Sequence, residues 1–200
     1  FGGSCFKKDI LNLVYLSEFL GLPEVASFWE SVISLNKWQQ QRISKLIVKK
    51  LFGTLTNKKI VVLGFAFKAN TNDTRESPAI NICKDLLEEG AYLLIHDPKV
   101  SSNQINIDLK IEPILNSELP DIRNKNLEGK WSFTQHLKGS FIDADAILIL
   151  TDWKEYQNIN WHEVSKLMRK PSWLFDTRSI IKTSEFKNTG INLWSIGSGI

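Results

Sequence analysis

The chain has 200 residues, of which 42% are hydrophobic and 24% charged, and this ordinary globular composition excludes a disordered tail, a collagen-like repeat and a disulfide-stapled mini-protein. Its formal net charge of +3 is too small to indicate a nucleic-acid partner, and its two cysteines, Cys5 and Cys83, indicate reduced thiols and a cytoplasmic location. No apolar run reaches the ~18 residues of a membrane-spanning helix, so we expect no membrane partner.

The first part of the chain, residues 1–57, predicts two helices. Asp9 can cap a helix that runs to Leu20, where Gly21 ends it. A second helix over 24–52 carries apolar residues at spacings of three and four, and it is far longer than the ~11–12 residues of an average helix. We therefore expect dimerisation helices that pack against a second copy. The alternative is a two-helix cap on the following domain.

The second part, residues 58–200, alternates between strand and helix patterns. Short apolar runs bounded by turn residues predict buried strands, and amphipathic segments predict helices. Strands are predicted at 59–63, 92–96, 146–150, 173–176 and 192–194, and helices at 78–89 and 161–168. We read residues 101–140 as an irregular insertion with one short strand near 105–107. This α/β alternation predicts a Rossmann-like, doubly wound parallel sheet.

Cys5 is the first candidate for chemistry. It follows two glycines and a serine just before a predicted helix, and helix amides stabilise a reactive thiolate. Asp9 lies four residues on, which is the same face if that turn is helical, and its carboxylate could orient water or accept a proton. The alternative is that Cys5 is a small buried apolar residue and Asp9 merely a cap.

The loop Gly64–Lys68 follows the first buried strand, where a dinucleotide-binding fold carries its glycine-rich phosphate loop. This loop has one glycine, two phenylalanines and a lysine, which suits a sugar nucleotide better than a dinucleotide. An ordinary exit from the strand is the alternative.

Other charged residues lie at predicted strand ends or helix starts. Arg75, just before the helix at 78, could bind an anion or pair with Asp73. Arg178 follows the fourth strand, where ligands of open sheets bind. Asp97 could contact a ribose, although a turn role is favoured. The three histidines are dispersed and predict no metal site.

Six collinear stretches of this sequence resemble the UDP-glucose 6-dehydrogenases, within the wider UDP-glucose/GDP-mannose dehydrogenase family. They are Phe1-Gly-Gly-Ser-Cys-Phe-Lys-Lys-Asp9, Leu63-Gly-Phe-Ala-Phe-Lys68, Asp73-Thr-Arg-Glu-Ser-Pro78, Asp97-Pro-Lys-Val100, Thr151-Asp-Trp153 and Asp176-Thr-Arg178. Their number and order make the resemblance specific.

The resemblance implies an oxidation of UDP-glucose to UDP-glucuronate with two NAD, through a thiohemiacetal and a thioester on a cysteine. Cys5 matches the nucleophile and Asp9 the aspartate that handles water and protons. The cofactor contacts implied are Lys8 and Arg75. The substrate contacts implied are Phe1, Gly2, Phe6, Phe67, Lys68 and Arg178.

The sequence departs from the family at several points. The family's N-terminal NAD-binding domain is not found in these 200 residues, so we expect the C-terminal part of a longer enzyme that is inactive alone. Lys7, Asp152 and Thr177 stand at positions where members of the family more often have other residues. Two alternatives stay open: a sister dehydrogenase acting on GDP-mannose or a UDP-amino sugar, and a non-catalytic module that binds sugar nucleotides or dimerises.

Overall fold

The computed structural model describes residues 1–114 and 129–198 of the chain. Six parallel strands form one sheet in the order β3-β2-β1-β4-β5-β6. The strands are β1 (Lys59–Leu63), β2 (Tyr92–His96), β3 (Lys130–Thr134), β4 (Ala146–Ile149), β5 (Ser172–Asp176) and β6 (Ile191–Ser195). The helices are α1 (Ser4–Phe19), α2 (Pro23–Lys50), α3 (Pro78–Glu88), α4 (Ser102–Leu109), α5 (Lys154–Gln157), α6 (Trp161–Leu167) and α7 (Thr183–Phe186).

The strand order confirms the predicted doubly wound parallel sheet. It reverses direction between β1 and β4, and ligands of open α/β sheets bind outside the carboxyl ends of the strands at such a switch point. All but the first residue of β1, and every residue of β2 and β4, are buried, as expected for strands covered on both faces. We therefore expect the ligand site of this sheet among the loops that leave β1, β2, β4 and β5.

The long helix is confirmed as α2, which begins with Pro23 at its first position. Its C-terminal half packs on the sheet through Ile43 and Ile47, which belong to the same apolar core as the strands. Lys50 lies 5.0 Å from the centre of the Trp173 ring in β5. Because α2 is shared in this way, the division of the chain into 1–57 and 58–200 stays a prediction.

The expected cap at Asp9 is wrong. α1 begins at Ser4 with Gly3 as its N-cap residue, and Asp9 lies inside the helix. Gly3 has a φ of 81°, a conformation that glycine adopts without steric cost, and the helix starts at Ser4, six residues before the start that a cap at Asp9 would give. Gly21 ends the helix region as predicted, also at positive φ.

The region 101–140 is more regular than predicted. The strand expected near 105–107 is wrong, because α4 covers those residues: Ser101 caps the helix, and Ile105 and Leu109 bury one face at a spacing of four. β3 was not predicted, although it pairs with β2 along its whole length. The remaining part of that prediction, at 115–128, lies outside the described residues.

Among residues 1–114 and 129–198, no helix combines the length and apolar character needed to cross a membrane.

Candidate functional site

The site is built at the carboxyl edge of the sheet, where the loops after β1 and β4 touch. Gly64 follows β1 with a φ of 94°, and a Cβ on this residue would collide with the Thr151 side chain. Glycine is therefore needed both for the turn and for the close approach of the two strand ends. Thr151 fastens the contact by donating its hydroxyl to the Ala66 carbonyl at 2.6 Å.

The next residues of this loop are Phe67 and Lys68, which the family resemblance led us to expect as substrate contacts. Phe67 is half-buried and Lys68 is exposed. The Lys68 ammonium lies 5.3 Å from the centre of the Phe67 ring, within the range of a cation–π contact. The main-chain N–H of Phe67 donates to the Asp73 carbonyl at 3.1 Å, which folds the rest of the loop back over the strand end.

Arg178 reaches the same place from the end of β5. Its guanidinium donates to the Phe67 carbonyl at 3.1 Å and lies 3.7 Å from the Asp152 carboxylate. Its main-chain N–H donates to Asp176 at 2.9 Å, which fixes the turn after the strand. The structure thus brings Arg178 to the loop of Phe67 and Lys68, although Arg178 lies more than 100 residues further along the chain.

The N-terminal end of α1 is seated on this loop through its two glycines. A Cβ on Gly3 would lie 2.9 Å from the Phe67 ring, and one on Gly2 would lie 2.8 Å from the Glu76 carbonyl oxygen. Only residues without side chains allow such an approach. The first turn of α1, which carries Cys5, is therefore held beside the loop that carries Phe67.

Cys5 and Asp9 both project from α1 as exposed residues. Since α1 is helical from Ser4, the two side chains lie one turn apart on the same face. The interpretation of Cys5 as a buried apolar residue does not agree with its exposure. The other thiol is different: Cys83 is fully buried and belongs to the apolar core.

Phe1 and Phe6 form an exposed aromatic pair beside the thiol. Their ring centroids lie 4.7 Å apart in an edge-to-face arrangement. Asn36 of α2 holds Phe1 in place, accepting from its nitrogen at 2.7 Å and donating to its carbonyl at 3.1 Å.

Arg75 and Lys8, which the family resemblance led us to expect as cofactor contacts, have different surroundings. Arg75 forms two hydrogen bonds to Asp73, at 2.9 and 2.7 Å, so the ion pair left open by the sequence is formed. This guanidinium holds the pKa of Asp73 at about 2, and Asp73, with a smaller contribution from Cys5, raises the pKa of Arg75. Lys8 is exposed on α1.

Sequence reasoning missed three contributors to this arrangement. Asn36 positions Phe1, and Lys7 forms a 2.8 Å ion pair with Glu76 that joins α1 to the loop before α3. Ser77, which caps α3, also donates its hydroxyl to the Phe65 carbonyl at 2.7 Å. None of the three carries a local signal, since each acts across a distance of 12 or more residues in sequence.

No group of three or more histidine, cysteine, aspartate or glutamate residues suited to a metal ion occurs in the described parts of the chain.

Comparisons with known proteins identify the family of the chain. The model for the UDP-glucose/GDP-mannose dehydrogenase family, UDP binding domain, matches residues 61–183, more than half of the chain. UDP-glucose 6-dehydrogenase 2 of Arabidopsis thaliana is 42% identical over 98% of the chain, and UDP-glucose 6-dehydrogenase of Drosophila melanogaster is likewise 42% identical over 98%.

These similarities extend to solved structures. A UDP-glucose dehydrogenase from Pyrobaculum islandicum superposes with a TM-score of 0.68 and 26% identity, covering 92% of this chain and 36% of that one. The chain spans 42% of the length of the Arabidopsis relative and 40% of the Drosophila relative. On the match to the family model, the chain belongs to the UDP-glucose/GDP-mannose dehydrogenase family.

Proposed function

We propose that the chain is the part of an NAD-dependent UDP-glucose 6-dehydrogenase that binds the sugar nucleotide and carries the nucleophile. The observation that carries this proposal is the seating of Gly2 and Gly3 against the loop of Phe67. This contact brings an exposed thiol, Cys5, to the carboxyl edge of the sheet where a ligand of this fold is expected to bind.

The binding residues supply the chemistry that a UDP-sugar requires. Lys68 and Arg178 offer cationic donors for the diphosphate, and Arg178 is already oriented by the Phe67 carbonyl and Asp152. The rings of Phe1, Phe6 and Phe67 offer apolar faces, and Gly2 allows the main chain to approach the substrate closely.

Cys5 acts as the nucleophile. Its thiolate adds to the C6 aldehyde formed by the first oxidation, and the thiohemiacetal becomes a thioester in the second. Water then attacks the thioester carbonyl, releasing the carboxylate and regenerating the thiol. Asp9, on the same face of α1, orients this water and accepts its proton. NAD, when bound, accepts the hydride in each oxidation.

Lys8 and Arg75 are the residues of this chain proposed to contact the cofactor. The loop after β1 runs Gly64-Phe65-Ala66-Phe67-Lys68, and it lacks the three-glycine spacing that lets a pyrophosphate reach helix amides. The hydrogen-bond donors at the carboxyl edge of the sheet, Lys68 and Arg178, thus fit a UDP-sugar. We expect the main NAD site elsewhere in the enzyme. We expect the 200-residue chain to be inactive by itself.

The proposal includes a homodimer and a cytoplasmic location. The exposed apolar residues of α1 and α2 offer a surface that a second copy could cover, since isologous contacts pair the same patch on both subunits. This surface includes Tyr15, Phe19, Phe28, Leu35 and Trp38. The division into a helical region, 1–57, and a UDP-sugar-binding domain, 58–200, belongs to the same proposal.

The test compares two cysteine variants of a dehydrogenase that contains this chain. Cys5→Ser should abolish UDP-glucuronate formation, because a serine hydroxyl is far less nucleophilic than a thiolate at neutral pH. Cys83→Ala, which removes the buried thiol, is the matched control and should retain turnover per folded enzyme. Normal acid formation by Cys5→Ser would remove Cys5 from the nucleophile role. Oxidation of GDP-mannose or a UDP-amino sugar in place of UDP-glucose would favour a sister dehydrogenase.

A further inference from the structure

We propose that Asp97, at the end of β2, is a positioning residue that holds the substrate loop Phe65–Lys68 in its binding conformation. This inference rests on the proposed function, because it assigns a cause to the geometry of the loop that would bind the UDP-sugar. Asp97 would not touch the substrate. It would act through the main chain of the loop.

The Asp97 carboxylate is almost fully buried, with 3% of its surface exposed, and its oxygens accept from three segments. Oδ2 accepts from the main-chain N–H groups of Phe65 at 2.7 Å and Ala66 at 3.0 Å, and from the Trp153 ring N–H at 3.3 Å. Oδ1 accepts from the main-chain N–H groups of Lys99 and Val100, both at 2.9 Å. A single side chain thus joins the carboxyl ends of β1, β2 and β4.

These bonds complete a network that leaves the loop little freedom. Every main-chain polar group of residues 65–67 has a partner, and five different residues supply the partners. The Phe65 carbonyl accepts from Ser77, the Ala66 carbonyl from Thr151 and the Phe67 carbonyl from Arg178. The Phe67 N–H donates to the Asp73 carbonyl, and the two remaining N–H groups donate to Asp97.

A carboxylate suits this place for a physical reason. Two consecutive N–H groups at a strand end need an acceptor, and a charged acceptor forms shorter and stronger bonds than a neutral one. Five N–H donors in turn satisfy the buried charge, which would otherwise be costly. The same arrangement argues against a ribose contact, because both oxygens of Asp97 are already engaged by protein groups.

Fixing this loop places the groups that would bind the ligand. Phe67 and Lys68 follow directly from the two N–H groups that Asp97 holds, and the Phe67 carbonyl orients Arg178. Preorganised contacts lose less conformational entropy on binding. Loosening the loop should therefore weaken the affinity for UDP more than a comparable loss of stability elsewhere would.

The test uses Asp97→Asn with Asp145→Asn as the matched control. Asp145 is also a buried carboxylate at a strand end, accepting from the Lys59 N–H at 2.8 Å and pairing with Arg169 at 2.9 Å, but it lies at the amino edge of the sheet. Both variants replace one oxygen by an NH₂ group that faces donors. UDP affinity is measured by calorimetry on the 200-residue chain, and amide hydrogen exchange is followed at Phe65 and Ala66.

We expect Asp97→Asn to weaken UDP binding by about tenfold or more and to accelerate exchange at Phe65 and Ala66. Asp145→Asn should lower the unfolding midpoint but leave both readouts near those of the parent chain. Unchanged exchange, unchanged UDP affinity, or equal losses in the two variants would overturn the positioning role. A parent chain that fails to bind UDP would overturn the proposed function instead, together with the inference that rests on it.

A second pair of variants covers the case in which Asp97→Asn does not fold. Thr151→Val deletes the hydroxyl that donates to the Ala66 carbonyl and keeps the branched shape, whereas Thr151→Ser keeps the hydroxyl. If the loop network positions the ligand groups, Thr151→Val should weaken UDP binding and Thr151→Ser should restore most of it. Equal affinity in both variants would contradict the proposal.

Discussion

At the scale of the residue, the two thiols have opposite surroundings. Cys5 is exposed in the first turn of α1, whereas Cys83 is fully buried, and burial together with the charge of Asp85 raises the pKa of its thiol. A thiol-specific reagent should therefore label the folded chain at Cys5 only.

Mass spectrometry after brief labelling checks this expectation. Cys5→Ser should remain unlabelled until the chain is unfolded, and Cys83→Ala should be labelled at the rate of the parent chain. Rapid labelling of folded Cys5→Ser would show that the buried thiol is accessible and that the assignment is wrong.

The glycine before α1 allows a second test at this scale. Gly3 and Gly53 share a φ of 81°, but a Cβ on Gly3 would meet the Phe67 ring at 2.9 Å and one on Gly53 would meet nothing within 4 Å. Gly53→Ala should cost about 1 kcal/mol of backbone strain, and Gly3→Ala should cost more because the ring must also move. Urea unfolding measures both. Equal losses would mean that the Phe67 ring does not restrict the approach of α1.

At the scale of the element, the end of β2 predicts a pH dependence of stability. His96 is buried and its Nδ1 lies 3.0 Å from the Tyr156 hydroxyl, with the Glu155 carboxylate at 3.7 Å. Burial lowers the pKa of His96 below 6.5, against the opposing charge of Asp97, and His136 lowers it further. As the pH falls below about 6.5, the imidazole of His96 is protonated in the unfolded chain before it is protonated in the folded chain. Proton binding therefore favours the unfolded state, and the free energy of unfolding decreases.

Thermal unfolding between pH 5 and 8, in the pH range where histidine titrates, checks this sign. The difference between the parent chain and His96→Gln isolates the ring from the other titrating groups, including Glu155, whose pKa is raised chiefly by burial. The parent chain should lose stability more steeply than His96→Gln below pH 6.5. Parallel curves would contradict the account.

The elements that the sequence predicted correctly are those whose burial is strong and periodic. β1, β2 and β4 are largely apolar runs, and α2 has apolar residues at spacings of three and four over most of its length. α4 was mistaken for a strand because its buried face consists of only Ile105 and Leu109, and the alternating β-branched residues Ile105 and Ile107 favour a strand. β3 was missed because only two of its five residues, Trp131 and Phe133, are apolar, and the region around it is polar.

The same limit applies to the site. Lys68 and Arg178 could be predicted as ligand-binding candidates because both follow predicted strands, and ligands of open sheets bind at strand ends. The contacts of Asp97 with Phe65 and Ala66, and of Asn36 with Phe1, join segments more than 30 residues apart and follow only from the packed fold. Asp9 was given a capping role because nothing in the sequence shows that Gly3 begins the helix.

At the scale of the whole molecule, the exposed apolar surface of α1 and α2 predicts self-association. Phe28 is 61% exposed on α2, and burying a large aromatic side chain contributes roughly 2–3 kcal/mol. The parent chain should sediment as a dimer, and Phe28→Asp should shift it towards monomer. Lys187→Asp, a charge change at an exposed residue after α7, is the control. A parent chain that sediments as a monomer at tens of micromolar, about ten times a ~1 µM dissociation constant, would contradict the proposed dimer.

The central claim is that the carboxyl edge of this sheet binds a UDP-sugar, and calorimetric titration of the chain with UDP-glucose tests it most directly. We predict saturable binding, weakened about tenfold by Arg178→Ala because a charge-assisted contact to the diphosphate is lost. Arg169→Ala, which removes an arginine that pairs with Asp145 at the opposite edge, should bind like the parent chain. Tighter binding of GDP-mannose than of UDP-glucose, or equal affinity of the Arg178→Ala variant and the parent chain, would contradict the account.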